Sequence, residues 1–280
     1  MGGFNPPIHP ARVGAPGGTF SIRWRGCDGW AAVQSDSVWT PPMTVFRRGI
    51  DREPLDRPPF RFQAPAGGAM KSTVIVNAGT GGQASVIYDA CAAAEMPVAG
   101  WLSADAQGRS PGAALNRLGD LALLDNREFV AQFAIIVGAG SAEFRRTLSL
   151  KVLGYGGILA TVIHPAAVVS RSATIGAGSF LAAGAVIGVN AKVGRFCIVN
   201  TGATIDHDNV IADGVNIAPG VHFAGNVHVE DDAFIGVGAS VAPGIRIGAR
   251  AVVGAGAVVI RDVPPDTTVV GNPAKPLVKR

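Results

Sequence analysis

Residues 181–217 read LAAGAVIGVNAKVGRFCIVNTGATIDHDNVIADGVNI, and every sixth residue, beginning with Leu181, is aliphatic. The same step of six runs without a slip from Ile163 to Val259, with Phe223 as its aromatic member. A period of six fits neither an α-helix nor a flat strand, whose side-chain periods are 3.6 and 2. It fits short strands joined by tight corners, each strand placing one large side chain in a narrow axial core.

Small residues complete this pattern. Alanine often stands two positions before the aliphatic residue, as at Ala185 and Ala191, and glycine often follows it, as at Gly188 and Gly194. Small side chains are needed where corners crowd the core, and glycine eases the turn. The repeat therefore predicts a parallel β-helix over residues 157–264.

The preceding segment, residues 70–156, has the pattern of a small α/β unit. Its apolar runs and helical spacings predict strands at Lys71–Val76, Val98–Leu102 and Phe133–Val137, and helices at Ala84–Glu95 and Glu143–Leu153. A glycine-rich turn, residues 79–83, joins the first strand to the first helix, where backbone N–H groups can hold a diphosphate. Such turns also close many βα units that bind no ligand, so the turn alone does not establish a diphosphate site.

Residues 1–69 differ from the rest of the chain. They hold ten of the 19 prolines and three of the four tryptophans, and no helical or strand period persists. This composition predicts a disordered extension, or a start assigned too early, with Met70 as the functional start. An aromatic docking arm is the alternative. At the other end, residues 265–280 form a C-terminal segment.

Composition excludes several classes of protein. Residues 1–69 carry eight arginines against five acidic residues, which is +3 of the total net charge of +4, so the remainder is nearly neutral and predicts no nucleic-acid partner. No run of eighteen apolar residues and no signal-peptide pattern occurs, so no membrane insertion is expected. The three cysteines, which form no CxxC pair, favour a reducing, cytoplasmic location.

One corner of the repeat carries acid–base chemistry. His207 follows the inward-facing Ile205 by two residues, so its ring should project from the coil surface. Acyl transfer to an amine or hydroxyl needs a base, which histidine can provide near neutral pH. Asp208 could orient the ring and favour the imidazolium. From these residues alone, a solvated surface histidine between two acids remains an equal alternative.

From Met70 to its C-terminus, the chain resembles the PglD/NeuD-type sugar acetyltransferases of the hexapeptide-repeat acyltransferases. The matching motifs are the turn at 79–83, Ile163-His164-Pro165, residues 200–208 (NTGATIDHD), residues 224–227 (AGNV) and residues 271–275 (GNPAK). The resemblance implies an α/β, Rossmann-like N-terminal subdomain followed by a left-handed parallel β-helix. In the family's three-sided coil of about eighteen residues, Gly225 stacks on His207 and Ala255 on Val237.

The resemblance also implies roles for individual residues. His207 is the general base, Asp208 raises its basicity, and the Gly225 backbone N–H donates to the oxyanion. Acetyl-CoA contacts are implied at Asn216, Gly225, Val237 and Ala255. Nucleotide-sugar contacts are implied at Gly81, Gly82, Gln83 and Gly138. For the side chains of Val237 and Ala255, ordinary coil packing is the alternative.

Four positions depart from the family's usual pattern. Gln83 stands where the family usually has histidine, Ser103-Ala104 replace an acidic pair, and Asn77-Ala78 are two additional residues before the turn. These three bear on which nucleotide and sugar are bound. Asn216 stands where a histidine often contacts acetyl-CoA, which bears on the affinity for that co-substrate.

The sequence thus predicts an acetyl-CoA-dependent N-acetyltransferase for a nucleotide-linked amino sugar, without a metal and, by resemblance, a homotrimer. O-acetylation of a sugar, as with sialic acid, uses the same base and donor and remains an alternative. A zinc hydratase is a weaker alternative because His222 and His228 are six residues apart and should lie on different faces. A non-catalytic solenoid is disfavoured by the His207-Asp208 pair with Gly225 above it.

Overall fold

The computed structural model describes residues 71–77, 82–103, 105 and 108–277, and these fall within one compact unit. The predicted disordered extension, residues 1–69, and the predicted ligand contact Gly81 lie outside the described residues. Among the described residues, no helix is long and apolar enough to cross a membrane.

The α/β unit is a parallel sheet with helices packed on it. Its elements are β1 (Thr73–Asn77), α1 (Gln83–Ala93), β2 (Val98–Ser103), β3 (Arg117–Gly119), a 3₁₀ helix (Leu121–Asp125), α2 (Arg127–Gln132), β4 (Ala134–Gly138), α3 (Ala142–Gly154) and β5 (Ile158–Leu159). The strand order is β3-β2-β1-β4-β5. The central strand β1 is buried throughout, as expected when helices cover both faces of a parallel sheet. The predicted strands and helices agree with these bounds to within two residues.

Residues 162–276 form the β-helix. Its two-residue strands are β6 (Val162–Ile163), β7 (Val168–Val169), β8 (Thr174–Ile175), β9 (Phe180–Leu181), β10 (Val186–Ile187), β11 (Lys192–Val193), β12 (Ile198–Val199), β13 (Thr204–Ile205), β14 (Val210–Ile211), β15 (Asn216–Ile217), β16 (His222–Phe223), β17 (His228–Val229), β18 (Phe234–Ile235), β19 (Ser240–Val241), β20 (Arg246–Ile247), β21 (Val252–Val253) and β22 (Val258–Val259). The three-residue strand β23 (Thr268–Val270) and the short β24 (Lys275–Pro276) follow.

From β6 to β22, strands pair in parallel with the strand one coil away, so Ile187 pairs with Ile205 and Ile205 with Phe223. At the C-terminal end, β23 pairs in parallel with β21 after sixteen residues, and β24 pairs antiparallel with β23. Three faces result: face 1 runs from β7 to β22 through β13, face 2 from β8 to β20 through β14, and face 3 from β6 to β24 through β15. One coil therefore takes eighteen residues, which is three steps of the six-residue repeat.

The six-residue repeat forms the axial core as predicted. From Leu181 to Val259, every sixth side chain is at most 3% exposed, and the chain packs them in one continuous cluster. Most corners between strands place one residue in the left-handed conformation, usually glycine or a short polar residue such as Asp208, with φ 58°, and Asn226, with φ 60°, although Phe196 and Arg250 also adopt it. Asparagine and aspartate tolerate this conformation better than most other residues.

The α/β unit packs on the first coils of face 3, and this contact is called the seam here. Phe180 and Ile198, which point outward from face 3, are buried together with Ile75 and Ile87 of the α/β unit. Apolar burial of this kind holds the two parts together at fixed positions.

Arg145 of α3 adds a polar clamp to the seam. It is 1% exposed, and its guanidinium donates to the backbone oxygens of Phe196 at 2.6 Å, Gly214 at 2.8 Å and Ala139 at 2.8 Å. Burial lowers the pKa of Arg145 to about 10, so the group stays charged at neutral pH. Backbone carbonyls, rather than a carboxylate, satisfy this buried cation.

Candidate active site

His207 lies at the corner that connects β13 on face 1 to β14 on face 2. Ile205 points into the core, the chain turns over residues 206–209, and the imidazole projects outward with 53% of its side chain exposed. The left-handed conformation of Asp208 makes this sharp turn possible and places its carboxylate beside the ring. The corner thus presents a titratable group to solvent.

Asp208 orients the ring. The Nδ1–H of His207 donates to Asp208 Oδ2 at 2.8 Å, a tautomer that we assign from this hydrogen bond. This bond raises the pKa of His207 above its ordinary value, and the same bond lowers the pKa of Asp208. The lone pair on Nε2 is therefore left to accept a proton.

Asn190, one coil below, supports this pair. Its Nδ2 donates to Asp208 Oδ1 at 3.0 Å, which also lowers the pKa of Asp208, and its backbone N–H donates to Ser172 Oγ at 2.9 Å. The ladder Ser172–Asn190–Asp208 therefore leads to His207. Asn190 is not among the residues predicted from the sequence, although its position eighteen residues before Asp208 could have indicated this contact.

Gly225 lies directly above the imidazole. A Cβ placed on Gly225 would lie 2.5 Å from both Cε1 and Nε2 of His207, closer than real side chains approach. The Gly225 N–H donates to no other group in the described part of the chain. The structure therefore brings together an imidazole, its carboxylate partner and a free backbone donor.

The predicted acetyl-CoA contacts lie elsewhere on the β-helix. Val237 and Ala255 lie at the corner between face 3 and face 1, where both are exposed, and the Gly256 N–H donates to the Val237 oxygen across one coil. Asn216 is 8% exposed on face 3, and its Nδ2 donates to the Gly140 oxygen at 3.0 Å. The Asn216 amide is thus engaged at the seam, and its role toward acetyl-CoA stays a prediction.

The predicted nucleotide-sugar contacts that the structure describes meet at the carboxyl ends of β1 and β4. Gly82 caps the N-terminus of α1, and Gln83 begins it with an Nε2 that is buried without a partner among the described residues. Gly138 ends β4, where a Cβ would lie 2.8 Å from the Ala84 Cα, so only glycine lets α1 approach this closely. This edge is where open parallel sheets bind ligands.

His222 and His228, two of the other three histidines of the β-helix, lie on different faces. His222 lies on face 1, where its Nδ1 is 2.9 Å from Thr204 Oγ1, and His228 lies on face 2. Within the described ranges, no group of three or more histidine, cysteine, aspartate or glutamate residues could hold a metal ion. The zinc hydratase alternative therefore finds no support from the described residues.

The chain is similar to a family of hexapeptide transferases and to several solved acetyltransferase structures. The family described as bacterial transferase hexapeptide (six repeats) matches residues 226–261. No curated protein sequence matches the chain. Solved structures do match, over about three quarters of the chain.

The acetyltransferase domain of PglB from Neisseria gonorrhoeae, in complex with acetyl coenzyme A, is 35% identical with a TM-score of 0.68, covering 74% of this chain and 100% of that one. PerB from Caulobacter crescentus, in complex with CoA and GDP-perosamine, is 37% identical with a TM-score of 0.68, covering 75% of this chain and 99% of that one. WeeI from Acinetobacter baumannii is 28% identical with a TM-score of 0.62, covering 74% and 100%.

Proposed function

Because the chain belongs to the PglD/NeuD-type sugar acetyltransferases, whose hexapeptide repeats form a left-handed parallel β-helix, we propose that it acetylates the amino group of a nucleotide-linked amino sugar. Acetyl-CoA is the acetyl donor and His207 the general base. The observation that carries the assignment of the base is the position of the His207 ring, held by Asp208 and stacked under Gly225.

The chemistry follows from the geometry of this corner. The amine nitrogen attacks the thioester carbonyl carbon, the C–N bond forms, and Nε2 of His207 takes the proton that nitrogen releases. The free N–H of Gly225 donates to the oxyanion, and the Asp208 carboxylate stabilises the imidazolium. The C–S bond then breaks, and the departing thiolate of CoA receives the proton from His207.

The absent side chain at Gly225 supports the binding of a thioester here. A thioester carbonyl needs room beside the base, and a Cβ at residue 225 would fill that space. The PglB domain binds acetyl coenzyme A, and PerB binds CoA together with GDP-perosamine. A histidine-to-asparagine mutant of perosamine N-acetyltransferase from Caulobacter crescentus was also solved with CoA and GDP-perosamine.

The edge at Gly82, Gln83 and Gly138 is the proposed site for the nucleotide diphosphate. The N-terminus of α1 faces this edge and favours negative charge, and Gln83 Nε2, which has no partner among the described residues, is proposed as a further donor. Glutamine cannot carry the positive charge that a histidine can. The substitution is therefore a proposed determinant of which nucleotide-sugar is accepted.

A homotrimer is part of this proposal. His207 lies at the corner between faces 1 and 2, whereas Val237 and Ala255 lie at the corner between faces 3 and 1. One extended ligand can touch both corners where the edges of neighbouring β-helices meet, and closed symmetry repeats that cleft. The cytoplasmic location stays a prediction from cysteine usage.

The test is an assay of acetyl-CoA consumption with UDP-, GDP- and dTDP-linked amino sugars, comparing the protein with His207→Ala. We expect turnover with one sugar and a loss of about a hundredfold or more in the variant. His228→Ala removes another exposed imidazole, on face 2, and should leave turnover unchanged.

The other outcomes discriminate between functions. Turnover that survives His207→Ala would mean that another group is the base. Acetyl-CoA binding without turnover of any amino sugar would favour a hydroxyl acceptor and thus O-acetylation.

A further inference from the structure

Asn209 breaks the rule that the interior corner positions are small or apolar. It stands two residues before the core residue Ile211, and its side chain is 0% exposed inside the β-helix. In the two preceding coils, the same position holds Ala173 and Ala191. A buried amide is costly unless it is hydrogen-bonded, so its partners decide what it does.

The Asn209 amide bridges two successive corners. Its Nδ2 donates to the Asp206 oxygen at 2.8 Å and to the Ala224 oxygen at 3.0 Å, and its Oδ1 accepts from the Val227 N–H at 2.7 Å. One side chain thus connects residues 206–209 to residues 224–227. These are the corners that carry His207 and Gly225.

This bridge replaces the bonds that close the earlier corners. The Ala173 N–H donates to the Ser170 oxygen at 3.1 Å, and the Ala191 N–H donates to the Gly188 oxygen at 3.3 Å. At 206–209 and 224–227, both within the described residues, no backbone bond of this kind forms. Each earlier corner is therefore held by its own turn, whereas these two are held by one shared amide.

The two oxygens that accept from Asn209 belong to the peptide groups that precede His207 and Gly225, the residues to which the proposed function assigns catalysis. Ala224 C=O and Gly225 N–H are parts of one peptide unit, and in a trans peptide they point in opposite directions. Because the Ala224 oxygen accepts from the buried Asn209 amide inside the β-helix, the Gly225 N–H points outward, away from the core. The Asp206 oxygen is likewise drawn inward, in the peptide group that leads into His207.

We propose that Asn209 is a positioning residue, which aims the Gly225 N–H at the developing oxyanion and sets its spacing from His207. This inference rests on the proposed function, since it assigns Asn209 a role in the same acetyl transfer. Asn209 itself is enclosed in the β-helix and touches no substrate.

The test compares Asn209→Ala and Asn209→Ser with the matched control Ser179→Ala. Ser179 makes the same kind of buried bridge at another corner, donating to the Gly194 oxygen at 2.8 Å and accepting from the Cys197 N–H at 2.9 Å. Both alanine variants therefore remove a buried polar bridge. Thermal melts of the full chain give the stability lost in each.

We expect Asn209→Ala to lower kcat about 10- to 100-fold, the scale on which misplaced catalytic groups lose rate, with the KM for acetyl-CoA changed less than about twofold. The acid limb of the pH profile should not move, because the His207–Asp208 pair is untouched. Asn209→Ser, which can replace some of the bonds, should recover part of kcat. Ser179→Ala should lose stability and keep kcat.

An unchanged kcat in Asn209→Ala, or an equal fall in Ser179→Ala, would overturn the inference. Should Asn209→Ala not melt cooperatively, the serine variant decides: a reduced kcat at an intact melting temperature supports positioning, and a wild-type kcat rejects it. His207→Ala is assayed alongside. Full turnover in His207→Ala would contradict the proposed function. Loss of turnover in His207→Ala together with full activity in Asn209→Ala would contradict only the role of Asn209.

Discussion

The β-helix and the α/β unit organise their contacts in opposite ways. In the β-helix, Asn190 reaches Asp208 and Gly225 covers His207, and both pairs are eighteen residues apart. In the α/β unit, Arg145 bonds to Phe196 and Gly214, which are 51 and 69 residues away. In the regular coil, contacting residues can therefore be predicted from their separation in the sequence. At the seam, no constant separation identifies the contacting residues.

The two regions also use glycine differently. At Gly225 the missing side chain leaves room for the His207 imidazole, whereas at Gly138 it leaves room for the backbone of α1. A substitution in the first place should change chemistry, and one in the second should change the shape of a binding edge. Kinetic parameters can separate these two effects.

The largest effect is expected from Gly225→Ala. Gly225 does not have a left-handed φ, so alanine fits the backbone, but its Cβ would press on a ring that Asp208 holds in place. We expect kcat to fall about a hundredfold or more, because both the base and the oxyanion donor are displaced. Steady-state kinetics with a thermal melt as control measure this, and a normal kcat in a folded variant would contradict it.

Asp208→Asn should have the next largest effect. Its hydrogen bond raises the pKa of His207, so removing the charge lowers that pKa and leaves the ring neutral at lower pH. The acid limb of the kcat profile should therefore move to lower pH, while the plateau falls about tenfold or more because the base is weaker and less well oriented. Asparagine also tolerates the left-handed φ of residue 208, so folding should be preserved.

The measurement for this variant is kcat against pH at saturating substrates. A limb that stays in place, or moves to higher pH, would show that Asp208 does not set the protonation of the base.

Gly138→Ala should have the smallest effect. Its Cβ would meet the Ala84 Cα at 2.8 Å, so α1 must shift, and the KM for the nucleotide-sugar should rise several-fold with kcat nearly unchanged. The shift should also cost about 1–3 kcal/mol of stability. Gly140→Ala on the same loop is the matched control, because its Cβ would meet nothing within 4 Å. Equal KM values in the two variants would argue against a nucleotide-sugar at this edge.

Much of the β-helix could be predicted because its coil length is constant. The step of six identified the core from Leu181 to Val259, and the eighteen-residue coil that the family resemblance implies correctly predicted Gly225 over His207. Asn190 and Asn209 were missed, since the prediction followed apolar and small residues. Both could be recognised in the sequence, because each is a polar residue at a corner position that the repeat defines.

The seam could not be predicted in the same way. The sequence predicts α3, but an arginine in a helix normally predicts exposure, whereas Arg145 is 1% exposed. Its partners are backbone oxygens, which every residue type provides, so no residue pattern marks them. Asn216 is a similar case, because its amide meets the Gly140 oxygen 76 residues away.

Because each strand from β6 to β22 pairs with the strand one coil away, the length of the β-helix changes in steps of whole coils. Neighbouring strands are about 4.8 Å apart, so an insertion of eighteen residues after Gly244 would lengthen the molecule by that amount and leave every face aligned. An insertion of six would rotate all later residues by one face. His207 and Gly225 occupy only two coils, but the proposed acetyl-CoA contacts Val237 and Ala255 lie in later coils, so whole coils could be added without separating the parts of this site only beyond Ala255.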